Sequence, residues 1–538
     1  MHMGNAVRTQ RDVGPAAAVA TRARRASCAA WLAGAVLVLS ACAQLPPLPP
    51  RTVSTASIEW EGTWWGDTAR RSLPARSASG FELLPIASVA YGARLELAAK
   101  AQNTLDAQYY ALEHDATGIG LLRALRDAAR RGVRVRLLVD DLLTAGQDDV
   151  LAELAAEPHA EVRLYNPFAG GRERSFSRWV LSWWDLRRVD HRMHNKLFVA
   201  DNALAVLGGR NIGDHYFMRA ADSNFLDLDV LAAGPVVREL SSAFDAFWNS
   251  DFVYPIEALT KPRRADAPSS LNDVPPVHLD LDETATGDPL VERYASTASQ
   301  LQKGLLSLES AAATVLFDAP DKAAETNDEP RRGTVHANLA AVIRSANDEV
   351  VVASPYFVPG PEGMEAIREL RKRGVKLQLA TNSLAATDEP LVHVGYARYR
   401  KAMLQVGCDI REIGPGLVRE HSHLGRFGRS LGRLHAKLAI IDRRFVFVGS
   451  MNFDNRSEWR NTEIGVVVES PELARQILQL MSDEVTAYKL RLAADGESLE
   501  WVYVQDGRET VFSDEPEASL GRRIEFRVLG PFVPEGEL

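Results

Sequence analysis

Apolar residues recur along this chain at two spacings, and both spacings appear twice in the same order. NTLDAQYYAL is followed by GLLRALRDAARRGVRVRLLVDD, and NDEVVVASPYFV by GMEAIRELRKRGVKLQLATNS. Each unit runs from a short apolar stretch to apolar residues at helical spacing, an Arg/Lys-Gly turn at Gly132 or Gly374, and a second apolar stretch. The pattern predicts strand, amphipathic helix, turn and strand. Strands joined in this way lie parallel in one sheet with the helix on its face. The fold class is therefore α/β, with two domains that each hold a mostly parallel or mixed sheet flanked by helices.

A second shared pattern follows each unit. HNKLFVADNALAVLGGRN runs from His194 to Asn211, and HAKLAIIDRRFVFVGSMN from His435 to Asn452, 241 positions later. In each, two apolar runs flank a polar break, Asp201-Asn202 or Asp442-Arg443-Arg444, which predicts a β-hairpin. A turn centred on Asn202 and Ala203 sets Asn211 opposite His194, and one centred on Arg443 and Arg444 sets Asn452 opposite His435. Side chains alternate along a strand, so Arg192, His194 and Lys196 share a face, as do Arg433, His435 and Lys437. His, Lys and Asn are thus expected to converge at one end of each hairpin, with Asp201 and Asp442 as structural residues at the other.

Composition narrows the class of chemistry. At 538 residues, 46% hydrophobic and 25% charged, the chain has the length and balance of two or more globular domains. Its net charge of -9 argues against nucleic acid as a partner, because displacing counterions from phosphates needs a basic footprint. The first fifty residues differ from the rest: a basic stretch, the apolar run ASCAAWLAGAVLVLSACAQ, then the Pro-rich QLPPLPPRTVSTAS. That order reads as a signal peptide with a tether behind it, the apolar run being short of the roughly 20 residues of a membrane span. Leu39-Ser40-Ala41-Cys42 resembles the lipobox of bacterial lipoproteins, which implies lipidation at Cys42 and a membrane lipoprotein facing the periplasm. Ala43 leans towards the outer membrane. Cys28 would leave with the signal, so Cys408 alone would remain in the body, as a small buried apolar residue without a disulfide. The expected organisation is signal peptide 1–41, anchor and tether 42–80, first domain 81–255, linker with a helix 256–330, and second domain 331–538.

The repeated His, Lys and Asn suit phosphodiester chemistry. Lys brings a point charge and Asn brings amide donors, both suited to non-bridging phosphate oxygens. His attacks phosphorus or moves a proton near neutral pH. One set performs half of an in-line displacement, which needs a nucleophile on one side of phosphorus and a proton donor on the other. Two sets brought face to face supply both halves, and sequence symmetry leaves open which histidine does which. His421-Ser422-His423 has metal-like spacing but no carboxylate or Cys pattern around it, and reads as a solvated loop.

The pattern H-x-K-x4-D-x6-G-[GS]-x-N, present twice, resembles the phospholipase D superfamily from about Leu83 to the C-terminus. LDAQYYALEHDATG, RMHNKLFVADNALAVLGGRNIGDHYF, FLDLDVLAAGPVV, FDAFWNS and DEPEASLGRR are similar to the C-type bacterial cardiolipin synthases. The resemblance implies two halves about a pseudo-two-fold axis, one active site between them, a phosphohistidine intermediate and no metal or other cofactor. It implies His194 as nucleophile, His435 as acid, and Lys196, Lys437, Asn211 and Asn452 around the phosphoryl oxygens. Arg192, Arg433 and Ser450 would bind substrate. Asp227 in FLDLDV and Glu463 in NTEIGV correspond to the acids that orient the histidines. Gly209 departs from the pattern, since many members have Ser there and this chain's second copy has Ser450.

The implied activity is synthesis of cardiolipin from phosphatidylglycerol and a second phospholipid such as phosphatidylethanolamine. Hydrolysis of phospholipid headgroups is the alternative within the same chemistry, and a phosphodiesterase or nuclease the alternative outside it. GGRERSFSRWVLSWWDLRR sets Phe176, Trp179, Val180 and Trp183 on one helical stripe among arginines. That segment either lies in a membrane interface or packs on its own domain.

Overall fold

Two short strands pair antiparallel at the centre of the molecule, and each opens a half of the same design. In the computed structural model, residues 44–261, 269–272, 289–323, 333–422, 427–482 and 486–530 are described. The expected signal peptide and Cys42 lie outside them. The first half holds β1 (Ser79–Leu84), β2 (Thr104–Tyr109), β3 (Arg134–Asp140), β4 (Ala160–Tyr165), β5 (Leu197–Ala200), β6 (Leu204–Gly208), β7 (Ser223–Leu226), β8 (Asp229–Ala233) and β9 (Val253–Pro255). The second holds β10 (Glu309–Phe317), β11 (Glu349–Ala353), β12 (Lys376–Asn382), β13 (Asp409–Ile413), β14 (Leu431–Leu434), β15 (Leu438–Ile441), β16 (Phe445–Gly449), β17 (Ile464–Glu469) and β18 (Ala487–Leu492).

Across the sheet the first half runs β1-β8-β6-β5-β2-β3-β4-β9. The second runs β10-β17-β16-β15-β11-β12-β13-β18 in the same relative order. β1 pairs with β10, Gly80 opposite Ser310, so the two runs join about a pseudo-two-fold axis, and two more strands, Leu499–Gln505 and Arg508–Phe512, continue past β18 to complete one 18-stranded sheet. Within this sheet only β2-β3-β4 and β11-β12-β13 are parallel, the strands joined through helices. The sheet is therefore mixed.

The helices form where the sequence spacing places them. Ala116–Arg130 is capped by the Asp115 carboxylate and buries Ile119, Leu121, Leu122 and Leu125 on one face. Each such burial contributes about 1.5–3 kcal/mol, more than helix propensity alone supplies. Gly132 and Gly374 follow their helices at φ +94° and +86°, a backbone that glycine adopts without strain. β2, β5, β6 and β8 are buried on both faces. One hydrophobic cluster runs from Trp65 to Ala487 through both halves, so the seam between them is core and not cleft.

Two expectations change. Each motif hairpin pairs one residue off the predicted register, Ala200 with Leu204 and Ile441 with Phe445. The cause is the turn: Asp201 and Asn202, like Asp442 and Arg443, adopt positive φ, and the Ala203 N–H closes on the Ala200 carbonyl. That leaves Ala203 as an extra residue. In addition β10 lies inside the stretch expected to be linker, behind the helix Pro289–Lys303 that was expected there.

Candidate active site

β7 and β14 come from different halves and pair parallel, Ser223 beside Leu431 and Leu226 beside Leu434. The ladder ends as the His435 N–H donates to the Leu226 carbonyl at 2.7 Å. Asp227 is the next residue, and its Oδ2 lies 2.6 Å from His435 Nδ1. The pseudo-symmetric junction repeats the device. Met193 bridges Thr462, the His194 N–H donates to the Thr462 carbonyl at 2.9 Å, and Glu463 follows. His194 Nδ1 sits 3.0 and 3.1 Å from the two Glu463 oxygens. Each imidazole thus takes its carboxylate from the opposite half.

With Nδ1–H donated to a carboxylate, each ring keeps its Nε2 lone pair facing the site. His194 Nε2 has no hydrogen-bond partner among the described residues, whereas His435 Nε2 accepts from Lys437 Nζ at 2.9 Å. Both lysines also donate to the carbonyl of their own histidine at 2.6 Å. Burial moves every charge here. It lowers His194 to about 4, against the pull of Glu463, and it lowers His435. It pushes Lys196 well below the usual lysine range and Lys437 down to about 8. Burial opposes ionisation of the acids too, but His435, Lys437 and Arg210 hold Asp227 at about 2, and His194, Lys196 and Ser450 keep Glu463 below its ordinary value. The site therefore holds neutral imidazoles between ionised acids.

Other expected residues take different positions. Asn211 is committed: its Oδ1 accepts from the Ala111 N–H and its Nδ2 donates to the Tyr216 hydroxyl. Asn452 Oδ1 is buried without a partner among the described residues. Asp201 accepts from the N–H groups of Gln102, Asn103 and Thr104, and Asp442 from those of Asn347, Asp348 and Glu349, both away from the histidines.

Two substrate-binding expectations are corrected. Ser450 is fully buried, and its hydroxyl bonds Glu463 Oε2 and the Ile464 N–H, which turns it to seating the carboxylate. Arg192 is buried on Asp140 and the Asn166 carbonyl, because strand alternation fails once the chain leaves β5. Arg433, half-buried, makes no ion pair among the described residues. Gly209 leaves the space that Asp227 occupies, since a Cβ there would lie 2.1 Å from Asp227 Oδ1.

Sequence reasoning missed the aromatic walls. Tyr110 meets His194 edge-on at 5.1 Å, while Tyr216 and Phe225 pack on His435 at 5.2 and 4.8 Å. It also missed Ser457, whose hydroxyl donates to Glu463 Oε1 from a short helix capped by Asp454. The Asp454-x-x-Ser457 spacing was the only local signal. No group of side chains that could hold a metal occurs among the described residues.

Residues 95–248 and 339–484 match the family described as cardiolipin synthase, PLD-like domain. Cardiolipin synthase C of Escherichia coli (strain K12) is 38% identical over 452 residues, covering 82% of this chain and 92% of that protein. An uncharacterized protein of Helicobacter pylori (strain ATCC 700392 / 26695) is 29% identical over 447 residues, covering 83% and 86%. The crystal structure of phosphatidylserine synthase from Haemophilus influenzae Rd KW20 shares the fold, with a TM-score of 0.53 over 86% of this chain and 97% of that one at 13% identity.

Proposed function

Because this chain belongs to the cardiolipin synthase, PLD-like domain family, we propose that it is a phosphatidyltransferase making cardiolipin from phosphatidylglycerol and a second phospholipid such as phosphatidylethanolamine. The observation that carries the reading is the crossed pair of histidine–carboxylate contacts, which sets two imidazoles on one site with different surroundings at Nε2.

His194 Nε2, neutral and unengaged, attacks the donor's phosphorus and the bond to the headgroup oxygen breaks. His435, which takes a proton onto Nε2 as the anionic phosphodiester displaces Lys437 from that nitrogen, delivers it to that oxygen and the headgroup alcohol leaves. Lys437 donates to that nitrogen at rest, and the incoming phosphate draws it to a non-bridging oxygen. The terminal hydroxyl of phosphatidylglycerol then returns its proton to His435, and its oxygen takes phosphorus from His194. Atoms balance as one diester for another, with neither histidine consumed. Lys196 and Asn452 complete the preorganised donors, a large part of catalysis in such sites.

Water competes with the lipid hydroxyl for the same intermediate. Lipid profiling of a cardiolipin-deficient cell expressing the chain tests the choice: cardiolipin should appear, and should vanish with His194→Ala. Phosphatidic acid in its place would establish a hydrolase. The lipobox supports an enzyme tethered through Cys42 on the periplasmic side, with the outer membrane favoured by Ala43. Cys42→Ser should abolish acylation, and unchanged labelling by a fatty-acid probe would overturn the tether.

A further inference from the structure

One stretch in each half turns large apolar side chains outward. The first comprises the helix Ser175–Leu181, the turn Trp183–Asp185 and the helical turn Leu186–Val189. Phe176, Trp179, Trp183, Trp184 and Leu186 are between 40% and 80% exposed. Other side chains seat the segment: Arg178 is buried on the Asp141 carbonyl, and Arg188 holds Asp185 and the Pro167 carbonyl. Trp179 also packs edge-on on the buried Phe168 at 5.5 Å, while Phe176 stands 80% exposed. Arg174 and Arg187 stand exposed among them with no ion pair among the described residues.

The second stretch is the C-terminal helix Leu520–Leu529, where Leu520, Ile524 and Val528 recur every fourth residue and are between 54% and 74% exposed. Its other side is anchored. Phe526 meets His393 at 5.8 Å, and Arg522 donates to the carbonyls of Leu384, Ala385 and Thr387. That loop leads to Asp388, which hydrogen-bonds Tyr356 and acts electrostatically on His435.

Linked contacts run from one stretch to the other past the histidines. Asp190, just past the first, pairs with Arg456 at 3.1 Å. Arg456 in turn faces Glu389, and both act on Tyr110, whose ring edges His194. Leu391, two residues beyond Glu389, is itself 48% exposed. One stretch therefore belongs to each half, with the site between them.

We propose that these two stretches form a membrane-docking face, whose aromatic and aliphatic side chains enter the interface of a phospholipid bilayer around the mouth of the active site. The inference rests on the phospholipid substrate proposed above. Large apolar side chains left in water forgo the gain of burial, and a patch of them marks a surface that is covered in use. Trp and Arg together fit the interface, the ring lying at headgroup depth and the guanidinium meeting lipid phosphate. A protein seated over the same face would close the entrance, whereas a bilayer supplies the substrate through it. No helix among the described residues is long and apolar enough to cross a membrane, so these residues engage the surface.

The test uses the full chain and two phosphatidylglycerol substrates, one in vesicles and one short-chained and monomeric. Phe176→Ser with Trp183→Ser and Trp184→Ser, and separately Leu520→Ser with Ile524→Ser, should each lose at least tenfold in turnover on vesicles. Turnover of the monomeric lipid should stay within twofold, which also reports an intact fold. Phosphatidylglycerol brominated high in its acyl chains should quench tryptophan fluorescence in the parent chain and less in the first variant. Full vesicle turnover in both variants, or equal quenching in parent and first variant, overturns the docking face. Equal loss on both substrates also overturns it, by assigning these side chains to the fold or the site. A parent chain inactive on both lipids would instead overturn the proposed function, and the quenching comparison would then judge the face alone.

Discussion

The two halves carry one motif on the same strands, yet they seat its parts differently. In the first, the shorter acid Asp227 lies against Gly209, where no side chain fits. In the second, the longer Glu463 is gripped by the hydroxyls of Ser450 and Ser457. Each acid is seated by its own half and used by the histidine of the other. Gly209 is therefore not a lost hydroxyl; the carboxylate itself fills the place. The asymmetry continues at the next residues, where Lys437 bonds the imidazole Nε2 and Asn452 keeps its oxygen open, while Asn211 is spent on Tyr216 and Ala111. Duplication supplied matching parts, and their divergence gives the two imidazoles different surroundings at Nε2.

The strongest way to break this comparison is to remove each histidine. His194→Ala and His435→Ala should each lower turnover on phospholipid by at least about 10³-fold, a general acid alone being worth about 10² to 10⁴. The halves then part company. A nitrophenyl phosphodiester, whose leaving group needs no proton, should recover activity in His435→Ala and none in His194→Ala. Mass spectrometry after alkaline quenching should place a phosphoryl adduct on His194. An adduct on His435 would reverse the roles and leave the crossed geometry standing.

A smaller effect should come from exchanging the seats. Gly209→Ser puts a Cβ where Asp227 Oδ1 stands, so the carboxylate must move off His435, and turnover should fall about 10²-fold. Ser450→Gly leaves Glu463 with Ser457, and should cost less than tenfold. Turnover measured alongside imidazole titration by NMR checks both, because displaced Asp227 shifts His435 alone. If Gly209→Ser were the milder change, the account of the first half would be wrong.

What sequence showed and what it hid divide along the range of the forces involved. The strand–helix–strand units, both hairpins and the glycine turns were legible because hydrophobic periodicity and turn chemistry act within a few residues. Register slipped by one because the left-handed pair Asp201-Asn202 closes the turn a residue earlier than a centre on Asn202 and Ala203 allows. β10 hid because its ESAAATVLF stretch buries only Leu316 and reads as small-residue linker. The crossing of the two acids, Asp227 to His435 and Glu463 to His194, was invisible for another reason. His435 and Asp227 are 208 residues apart, and the strands that join them, SNFL and LGRL, are too short to show a period. Motif counting found the residues of the site, but only the tertiary pairing assigned their partners.

Next in size is the pair of hairpin aspartates, a comparison of stability and not of rate. Asp201 is fully buried with three amides on it, whereas Asp442 is partly open to water. Asp201→Ala strands its amides and should cost about 2–3 kcal/mol, against about 1 kcal/mol for Asp442→Ala, where water takes over. Urea denaturation of each variant measures this, and equal losses would show that solvent reaches both turns. The three amides hold Asp442 below the usual range, so its contribution is present above the unfolded pKa and is lost as acid titrates it.

The smallest expected effect separates the two lysines by pH. Burial lowers both, but Lys437, with Asp227 and Asp388 beside it, comes to rest at about 8, while Lys196 falls further. A lysine with a lowered pKa is charged below that value and neutral above it, so the free enzyme carries the Lys437 charge up to about pH 8 and loses it beyond. His194, at about 4, is already neutral across that range. kcat/KM should therefore rise through about pH 4 as His194 becomes neutral, decline above the lowered range of His435 as the acid loses its proton, and fall by about a further tenfold for each unit above 8. Lys437→Arg, which stays charged, should lower the rate and remove the further fall above 8. Lys196→Arg should leave the fall in place, because the charge it replaces is not the one being titrated there. If Lys196→Arg removed the alkaline limb and Lys437→Arg kept it, the second half would no longer be the one that holds the phosphate's counter-charge at neutral pH.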